Sequence, residues 1–307
     1  MSLTRRHALY AVQYDSTLCG GVSQQNIVTG SDVRGEPTDA EIYARILALY
    51  EQKIVPSFST YCLVQHLDEL SALGVSIADM TLGLSLFAQA HLKGGSRAGA
   101  TAHREYNFTE GIVFPQSINV SHRGDAELSV GAVIGYDGSN DPMTITDDVT
   151  LTAITGEAER FTMGPVTIES VLLAQKTNVS INFGLQVESE GVDSIIWDEF
   201  VSIVQCQPVI EITGIDIEWL KAANIPLTGK SVTHANTDIY LAKRAHGGTF
   251  VADETAEHIK FTAAGLIVPD ECFSSSGQAP GQVKLTMPCY YDGTNAPITI
   301  DTTSAIT

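Results

Sequence analysis

Five oxygen-bearing side chains near residue 140 could hold a calcium ion. Asp137, Asn140 and Asp141 are followed by Asp147 and Asp148, and carboxylate and amide oxygens suit a hard divalent cation. A later segment, YDGTNAPITIDTT, repeats this stretch but has alanine or threonine in place of the last three aspartates. Only the Asp-Gly pair and the asparagine are kept, and these residues form turns. The pattern therefore favours a structural turn and predicts no metal site.

Other catalytic or binding chemistry has no support in the sequence. The motifs GxSxG, GxxxxGK[ST], GxGxxG and HExxH are absent, which argues against the common hydrolase, nucleotide-binding and zinc-enzyme classes. The eight histidines are scattered, and the five cysteines lack CxxC spacing, so surface or packing histidines and free thiols are expected. We expect no enzymatic activity, no catalytic residue and no cofactor. The cysteines are Cys19, Cys62, Cys206, Cys272 and Cys289.

The sequence repeats itself at an offset that grows from 153 to 155 residues. Phe108 matches Phe261 at the smaller offset, and the two Tyr-Asp-Gly segments match at the larger one. Slow drift of this kind is produced by one-residue loop insertions in two copies of one domain. Two tandem domains, residues 1–153 and 154–307, are therefore predicted, and the unit is too long for a solenoid repeat. The predicted duplicated turn positions are Gly94, Gly95, Tyr136, Asp137, Gly138, Gly247, Gly248, Tyr291, Asp292 and Gly293.

These glycine-containing segments have different predicted roles. Asp-Gly readily adopts the positive φ of a tight hairpin, so each Tyr-Asp-Gly predicts the point where a late strand reverses. The two Gly-Gly pairs are not followed by Lys-Ser or Lys-Thr, so a hairpin or bulge is favoured over a phosphate loop.

Short alternating segments rich in β-branched residues predict that most of the chain forms strands. Examples are ELSVGAVIGY (127–136) and NVSINFGLQVE (178–188). The segment 38–52 has apolar spacing that would also suit a helix, but its counterpart 193–207 is richer in β-branched and aromatic residues. Both are predicted as strands, because duplicated domains share a fold.

Each copy has one helical candidate directly after its central strand. Apolar spacing and a terminal glycine predict a helix over 64–74, and a capping aspartate predicts another over 215–225. The predicted fold class is mainly β: two tandem, similar β-sandwich or barrel domains, each with one short flanking α-helix.

The charge argues against nucleic-acid binding. The net charge is −19, with 17 acidic and 9 basic residues before residue 154 and 19 and 8 after it, hence −8 and −11. Nucleic-acid binders concentrate lysine and arginine, and no such cluster exists. No run of about 18 apolar residues is present, so no membrane span is expected, and the N-terminal stretch does not read as a signal peptide.

The order of elements resembles the tail tube proteins of long-tailed bacteriophages. KIVPSFSTYCLVQHLDEL (53–70) and QPVIEITGIDIEWL (207–220) each lead from a strand into a helix, with the Tyr-Asp-Gly segment later. The resemblance implies β-sandwiches with one flanking helix that stack as hexameric rings. A chain with two such domains would form the ring as a homotrimer that polymerises into a tube and contacts other tail proteins. DNA would pass through the acidic channel without specific binding, and the protein would be made in the host cytoplasm and belong to the virion.

Three points stay open from the sequence. The segment 15–38 is expected to be an extended loop, either reaching an adjacent ring or simply mobile. The acidic residues that would line the channel are not identified. Two alternative functions are a double-domain capsid or decoration protein and a β-sandwich adhesin or carbohydrate-binding module. With 2 tryptophans and 7% aromatic residues, the sequence gives little support to an aromatic surface that binds sugars.

Overall fold

The structure is a computed structural model that describes residues 5–37, 42–92, 102–151, 154, 159–192, 195–215, 232–245, 248–278 and 281–307. Strands account for 64% and helices for 4% of these residues. The predicted mainly β class is therefore confirmed. The strands form large antiparallel sheets, and no closed barrel forms within the described ranges.

The described part of the first half contains ten strands and one α-helix. They are β1 (Arg5–Tyr14), β2 (Thr17–Cys19), β3 (Val22–Pro37), β4 (Ala44–Thr60), α1 (Leu63–Glu69), β5 (Val75–Ser76), β6 (Leu84–Leu92), β7 (His103–Phe108), β8 (Gly111–Ser121), β9 (Glu127–Ile134) and β10 (Thr144–Val149).

The described part of the second half contains ten further strands. They are β11 (Arg160–Ile168), β12 (Val171–Leu172), β13 (Lys176–Asn182), β14 (Leu185–Glu190), β15 (Phe200–Cys206), β16 (Val209–Gly214), β17 (Val232–Arg244), β18 (His258–Ser274), β19 (Gln282–Pro288) and β20 (Ile298–Ser304).

Most of these strands belong to one long sheet. Its order is β12-β11-β17-β18-β19-β16-β13-β8-β9-β4-β3, with β20 also paired to β18 and β5 to β8. A second sheet has the order β10-β7-β6-β1-β2, and β14 and β15 form a separate hairpin. Along β13 the burial alternates, with Val179 and Ile181 buried and Ser180 more exposed, because successive side chains point to opposite faces of a sheet.

The strand pairs of the two halves follow the same registers. Ile27 opposite Pro56 in the β3·β4 pair recurs at an offset of 154 as Ile181 opposite Ile210 in the β13·β16 pair. The bulge that follows Val22 recurs after Lys176. The β14·β15 hairpin repeats the outer part of β3·β4, again including its bulge. We call residues at the same place in the two sets of registers counterparts.

One sequence match is corrected by these registers. Ile145 lies opposite Tyr106 in β10·β7, and its counterpart Ile300 lies opposite Phe261 in β20·β18. Phe261 is thus the counterpart of Tyr106, and the predicted match to Phe108 is wrong by two residues. A shift of two keeps the same sheet face, which explains why the apolar pattern concealed it.

The two halves are joined in one sheet and one core. β8 of the first half pairs with β13 of the second, and the buried apolar side chains of both halves form a single cluster. The division into domains 1–153 and 154–307 therefore stays a prediction, although the registers repeat between the halves.

The loop prediction for 15–38 is wrong in its main part. Residues Val22–Pro37 form β3, a strand of 16 residues paired along its length with β4. The segment is polar because much of its side-chain surface is exposed to solvent, so it lacks the alternating pattern of a half-buried strand.

The helix and strand predictions have mixed outcomes. α1 ends at Glu69 rather than at residue 74, because the backbone of Leu70 is already extended. The ambiguous segments 38–52 and 193–207 form strands where β4 and β15 cover them. The helix predicted over 215–225 lies outside the described residues, except for Ile215, which is in a bend.

Candidate assembly surface

The two Tyr-Asp-Gly segments adopt the same turn. Oδ1 of Asp137 accepts hydrogen bonds from the backbone N–H of Ser139 at 2.8 Å and of Asn140 at 2.6 Å, and Oδ2 accepts from Asn140 Nδ2 at 2.9 Å. Oδ1 of Asp292 accepts from the backbone N–H of Thr294 at 2.8 Å and of Asn295 at 2.6 Å, and Oδ2 accepts from Asn295 Nδ2 at 2.8 Å. These hydrogen bonds hold the pKa of both aspartates below the usual value.

The hairpin prediction for these segments is wrong. β9 and β10 are not paired with each other, since β10 pairs with β7, and β20 pairs with β18 rather than with β19. Each turn therefore connects two strands that are not neighbours. Gly138 and Gly293 have φ values of 82° and 93°, a conformation that glycine adopts at no steric cost. Hydrogen bonds within each turn occupy both oxygens of the aspartate side chain.

The other predicted glycine positions are only partly described. Gly94, Gly95 and Gly247 lie outside the described residues. Gly248 belongs to a turn after β17, in which its N–H donates to the carbonyl of Ala245 at 3.0 Å.

The buried titratable groups have structural partners. His66 is fully buried, and its ring nitrogens lie 2.9 Å from Tyr14 Oη and 3.1 Å from the carbonyl oxygen of Gly20. Burial lowers the pKa of His66 to about 4 and raises the pKa of Cys19 to about 12. A neutral histidine and a protonated thiol at neutral pH fit a packing role. All five cysteines are free.

The described residues form no metal-binding cluster. No group of three or more histidine, cysteine, aspartate or glutamate side chains within these ranges could hold a metal ion. In the same part of the chain, no helix is both long and apolar enough to cross a bilayer. An open groove of about 390 Å³ is lined by Arg123, Lys176 and Arg244 among others, but Lys176 Nζ already donates to the carbonyl of Leu173 at 2.6 Å.

The most distinctive contact of the molecule is the junction between its halves. β8 and β13 pair antiparallel, with Asn119 opposite Ser180 and Ser117 opposite Asn182. Ser180 Oγ donates to Asn119 Oδ1 at 2.6 Å. The strands β8 and β13 occupy different positions in their respective halves, since β13 is the counterpart of β3. The junction is therefore head-to-tail rather than symmetric.

The region of the β14–β15 hairpin extends this junction. Asp198 accepts through its carbonyl from the N–H of Tyr136 at 2.8 Å, and Ile196 accepts in the same way from the N–H of Gln52 at 2.7 Å. Val201 lies against Gly135, because a Cβ added at Gly135 would be 3.1 Å from Val201 Cγ2. The second half thus covers β4, β8 and the end of β9.

The counterparts of these apolar side chains are exposed on the first half. Trp197 packs against the core, whereas its counterpart Tyr43 is 75% exposed. Val201 is half-buried, whereas its counterpart Leu47 is 73% exposed. We call the edge of β3 from Val22 to Val28, together with residues 42–47, the hairpin surface.

The complementary positions are exposed on the second half. Tyr136 is half-buried at the junction, whereas its counterpart Tyr291 is 63% exposed. Phe273, which lies in the bulge of β18 between Glu271 and Ser274, is 66% exposed, and Tyr290, the counterpart of Gly135, is also exposed. We call the segment 271–275, Cys206 and Tyr290–Tyr291 the receiving surface. Among the described residues, the counterparts of both sides of the internal junction are therefore largely exposed.

Sequence reasoning did not identify these surfaces. The repeat contains the needed signal, since apolar residues stand at corresponding places in the segments 42–47 and 196–201. The pairing of β8 with β13, which shows what such residues contact, is not encoded in any local pattern. The sequence matches no protein-family model, and a comparison with curated proteins finds no match.

Proposed function

We propose that this chain is a structural virion protein of a bacteriophage, which forms the stacked rings of a tail tube. Three chains would supply six similar units around a channel through which DNA passes. The observation that supports this most directly is the head-to-tail junction between the halves. Heterologous contacts of this kind build closed rings when the rotation closes, and stacked rings make a filament.

The open edges of the chain also favour an assembling protein. In the described part of the chain, β3 pairs only with β4, and its segment VSQQNIV (22–28) contains no charge and no proline. Natural proteins protect free sheet edges with charges, prolines or a covering element. An edge with none of these devices is suited to pairing with another chain.

The charge distribution supports a conduit for DNA over a DNA-binding role. Both halves are acidic, and the net charge is −19. An acidic wall repels phosphate over the Debye length, about 8 to 10 Å at physiological salt. DNA would then slide through the channel without adhering, and other tail proteins would cap the tube. The proposed role needs no catalytic residue and no cofactor.

Electron microscopy of the purified protein tests the proposal. Negative staining should show hollow rods or stacked rings, and light scattering at low concentration should show chains associating in threes. Monomers that remain monodisperse at high concentration would refute a tube. Closed shells without an axial channel would favour the capsid or decoration role. Binding to a glycan array by a protein that stays monomeric would favour the adhesin role.

A further inference from the structure

We infer that successive chains join by repeating the internal junction between the hairpin surface of one copy and the receiving surface of the next. This inference deepens the proposed function, since it rests on the self-assembly proposed above and names the contact that would produce it. The partner it requires is a second copy of this chain.

The registers of the structure fix which residues meet. Ser117 lies opposite Asn182 at the internal junction. The counterpart of Ser117 is Glu271, since both follow the same bulge in the pairs β8·β9 and β18·β19. The counterpart of Asn182 is Val28, since Val28 lies opposite Val55 as Asn182 lies opposite Val209. Glu271 of one copy therefore lies opposite Val28 of the next.

The next pair outward follows from the same rule. Asn119 lies opposite Ser180, and their counterparts are Ser274 and Asn26. Asn119 lies opposite Glu127 in β8·β9 as Ser274 lies opposite Gln282 in β18·β19, where β18 has one further bulge between Glu271 and Ser274. Both counterparts are exposed in the single chain. Within the described ranges, β18 pairs beyond Ile267 with β19 alone, so this edge has room for a further strand. Ser274 of one copy then lies opposite Asn26 of the next.

Residues 42–47 of the hairpin surface complete the contact. Inside the chain an added Cβ at Gly135 would lie 3.1 Å from Val201 Cγ2. Leu47 of one copy would meet Tyr290 of the next at this place, where the larger pair requires a shift of at least a few tenths of an ångström relative to the internal contact. The N–H of Tyr136 donates to the carbonyl of Asp198, so the N–H of Tyr291 would donate to the carbonyl of Ala44. Tyr43 would be covered as Trp197 is. The contact would bury the exposed aromatic and aliphatic side chains of both surfaces, which is typical of the core of a protein interface.

The two surfaces are also compatible in charge. Residues 22–28 carry no charge, so Glu271 meets no like charge across the new strand pair. The internal junction has an ion pair, in which Lys53 Nζ lies 3.3 Å from Asp198 Oδ2. The counterparts of Lys53 and Asp198 are Gln207 and Ala44, so this ion pair is not repeated between chains. Strand pairing and apolar contacts would carry the association.

Disulfide trapping tests the register. The double variant Asn26→Cys with Ser274→Cys places two thiols directly opposite each other, where Cα atoms are about 4.5 to 5.5 Å apart, within the range of a disulfide. Mild oxidation should convert most chains into covalent multimers on a non-reducing gel. The variant Val28→Cys with Glu271→Cys should behave in the same way.

A matched control keeps both thiols exposed and on the same strands but out of register. Gln24→Cys with Glu271→Cys separates them by four residues, about 13 Å along the strand, so no multimers above the wild-type background should form. A mixture of the single variants Asn26→Cys and Ser274→Cys should give dimers and no larger species, which shows that the bond joins different chains.

The outcomes separate this inference from the proposed function. Equal cross-linking of the in-register and out-of-register variants, or none in either in-register variant, overturns the inference even if microscopy shows tubes. In-register cross-linking of particles that lack an axial channel supports the inference and refutes the tail tube.

Discussion

Leu47 offers the sharpest test of how the chain associates. The substitution Leu47→Ala deletes three carbons, each worth about 0.8 kcal/mol when buried, or ~2.4 kcal/mol in all. In the single chain Leu47 is 73% exposed, so about three quarters of that burial, ~1.8 kcal/mol, remains to be gained on contact with Tyr290 of the next copy. A tenfold change in affinity corresponds to about 1.4 kcal/mol, so each junction should weaken roughly 20-fold.

Sedimentation velocity over a concentration series measures this change. The concentration at which Leu47→Ala chains associate should rise by about the same factor, while their thermal unfolding as monomers should be almost unchanged, since substitutions of exposed residues usually cost little. Leu82→Ala is the matched control, because Leu82 is exposed but lies outside both surfaces. Val201→Ala should instead lower the Tm, because its contact with Gly135 lies within the chain. Unaltered association of Leu47→Ala would refute the reasoning.

Three further predictions concern stability. His66→Gln should reduce the loss of stability that occurs as the pH falls from 6.5 to about 4. Burial lowers the pKa of His66 in the folded state to about 4, so the unfolded state binds more protons than the folded state in this pH range. The resulting loss in the free energy of unfolding reaches roughly 3 kcal/mol. Urea titrations at several pH values between 4 and 6.5 measure this dependence. Gly184→Ala should lower the free energy of unfolding by more than about 1 kcal/mol, since Gly184 has φ +60° and an added Cβ would collide with the carbonyl of Gln207. At its counterpart Gly30 there is space for an added Cβ, so Gly30→Ala should be tolerated. Phe261→Ala should cost about 3 to 5 kcal/mol by chemical denaturation, because Phe261 is fully buried.

Each of these predictions has a contradicting result. A pH profile of His66→Gln that parallels the wild type would show that another group causes the acid sensitivity. Equal midpoints for the two glycine variants would show that the turn at Gly184 relaxes freely. A loss below about 1 kcal/mol for Phe261→Ala would be too small for a fully buried aromatic side chain.

The repeat and the strand content could be predicted because both depend on local sequence. Alternation in segments such as 127–136 predicted strands, and the duplicated Asp-Gly predicted a turn with positive φ at Gly138 and Gly293. The partner of a strand is a long-range property. The same Asp-Gly pattern therefore suggested a hairpin, whereas β10 and β20 each pair with a strand other than the one that precedes them in the chain.

The candidate surface was not predicted for a related reason. β3 was expected to be a loop because its side chains are largely polar, yet its backbone pairs with β4 throughout. The polar side chains of β3 reflect its exposure to solvent and not its backbone conformation. The sequence alone does not show what Tyr43 and Leu47 could contact. Only the contacts of their counterparts Trp197 and Val201 with the first half indicate this.

The covalent link across the β8·β13 junction has a thermodynamic consequence. Each association between free molecules costs an estimated 4 to 15 kcal/mol in translational and rotational freedom. A ring of six units made from separate polypeptides would require six such contacts to form between independent molecules. In the proposed ring of three chains, half of these contacts would already be made when each chain folds, so the remaining ones could be individually weak and still close a circle.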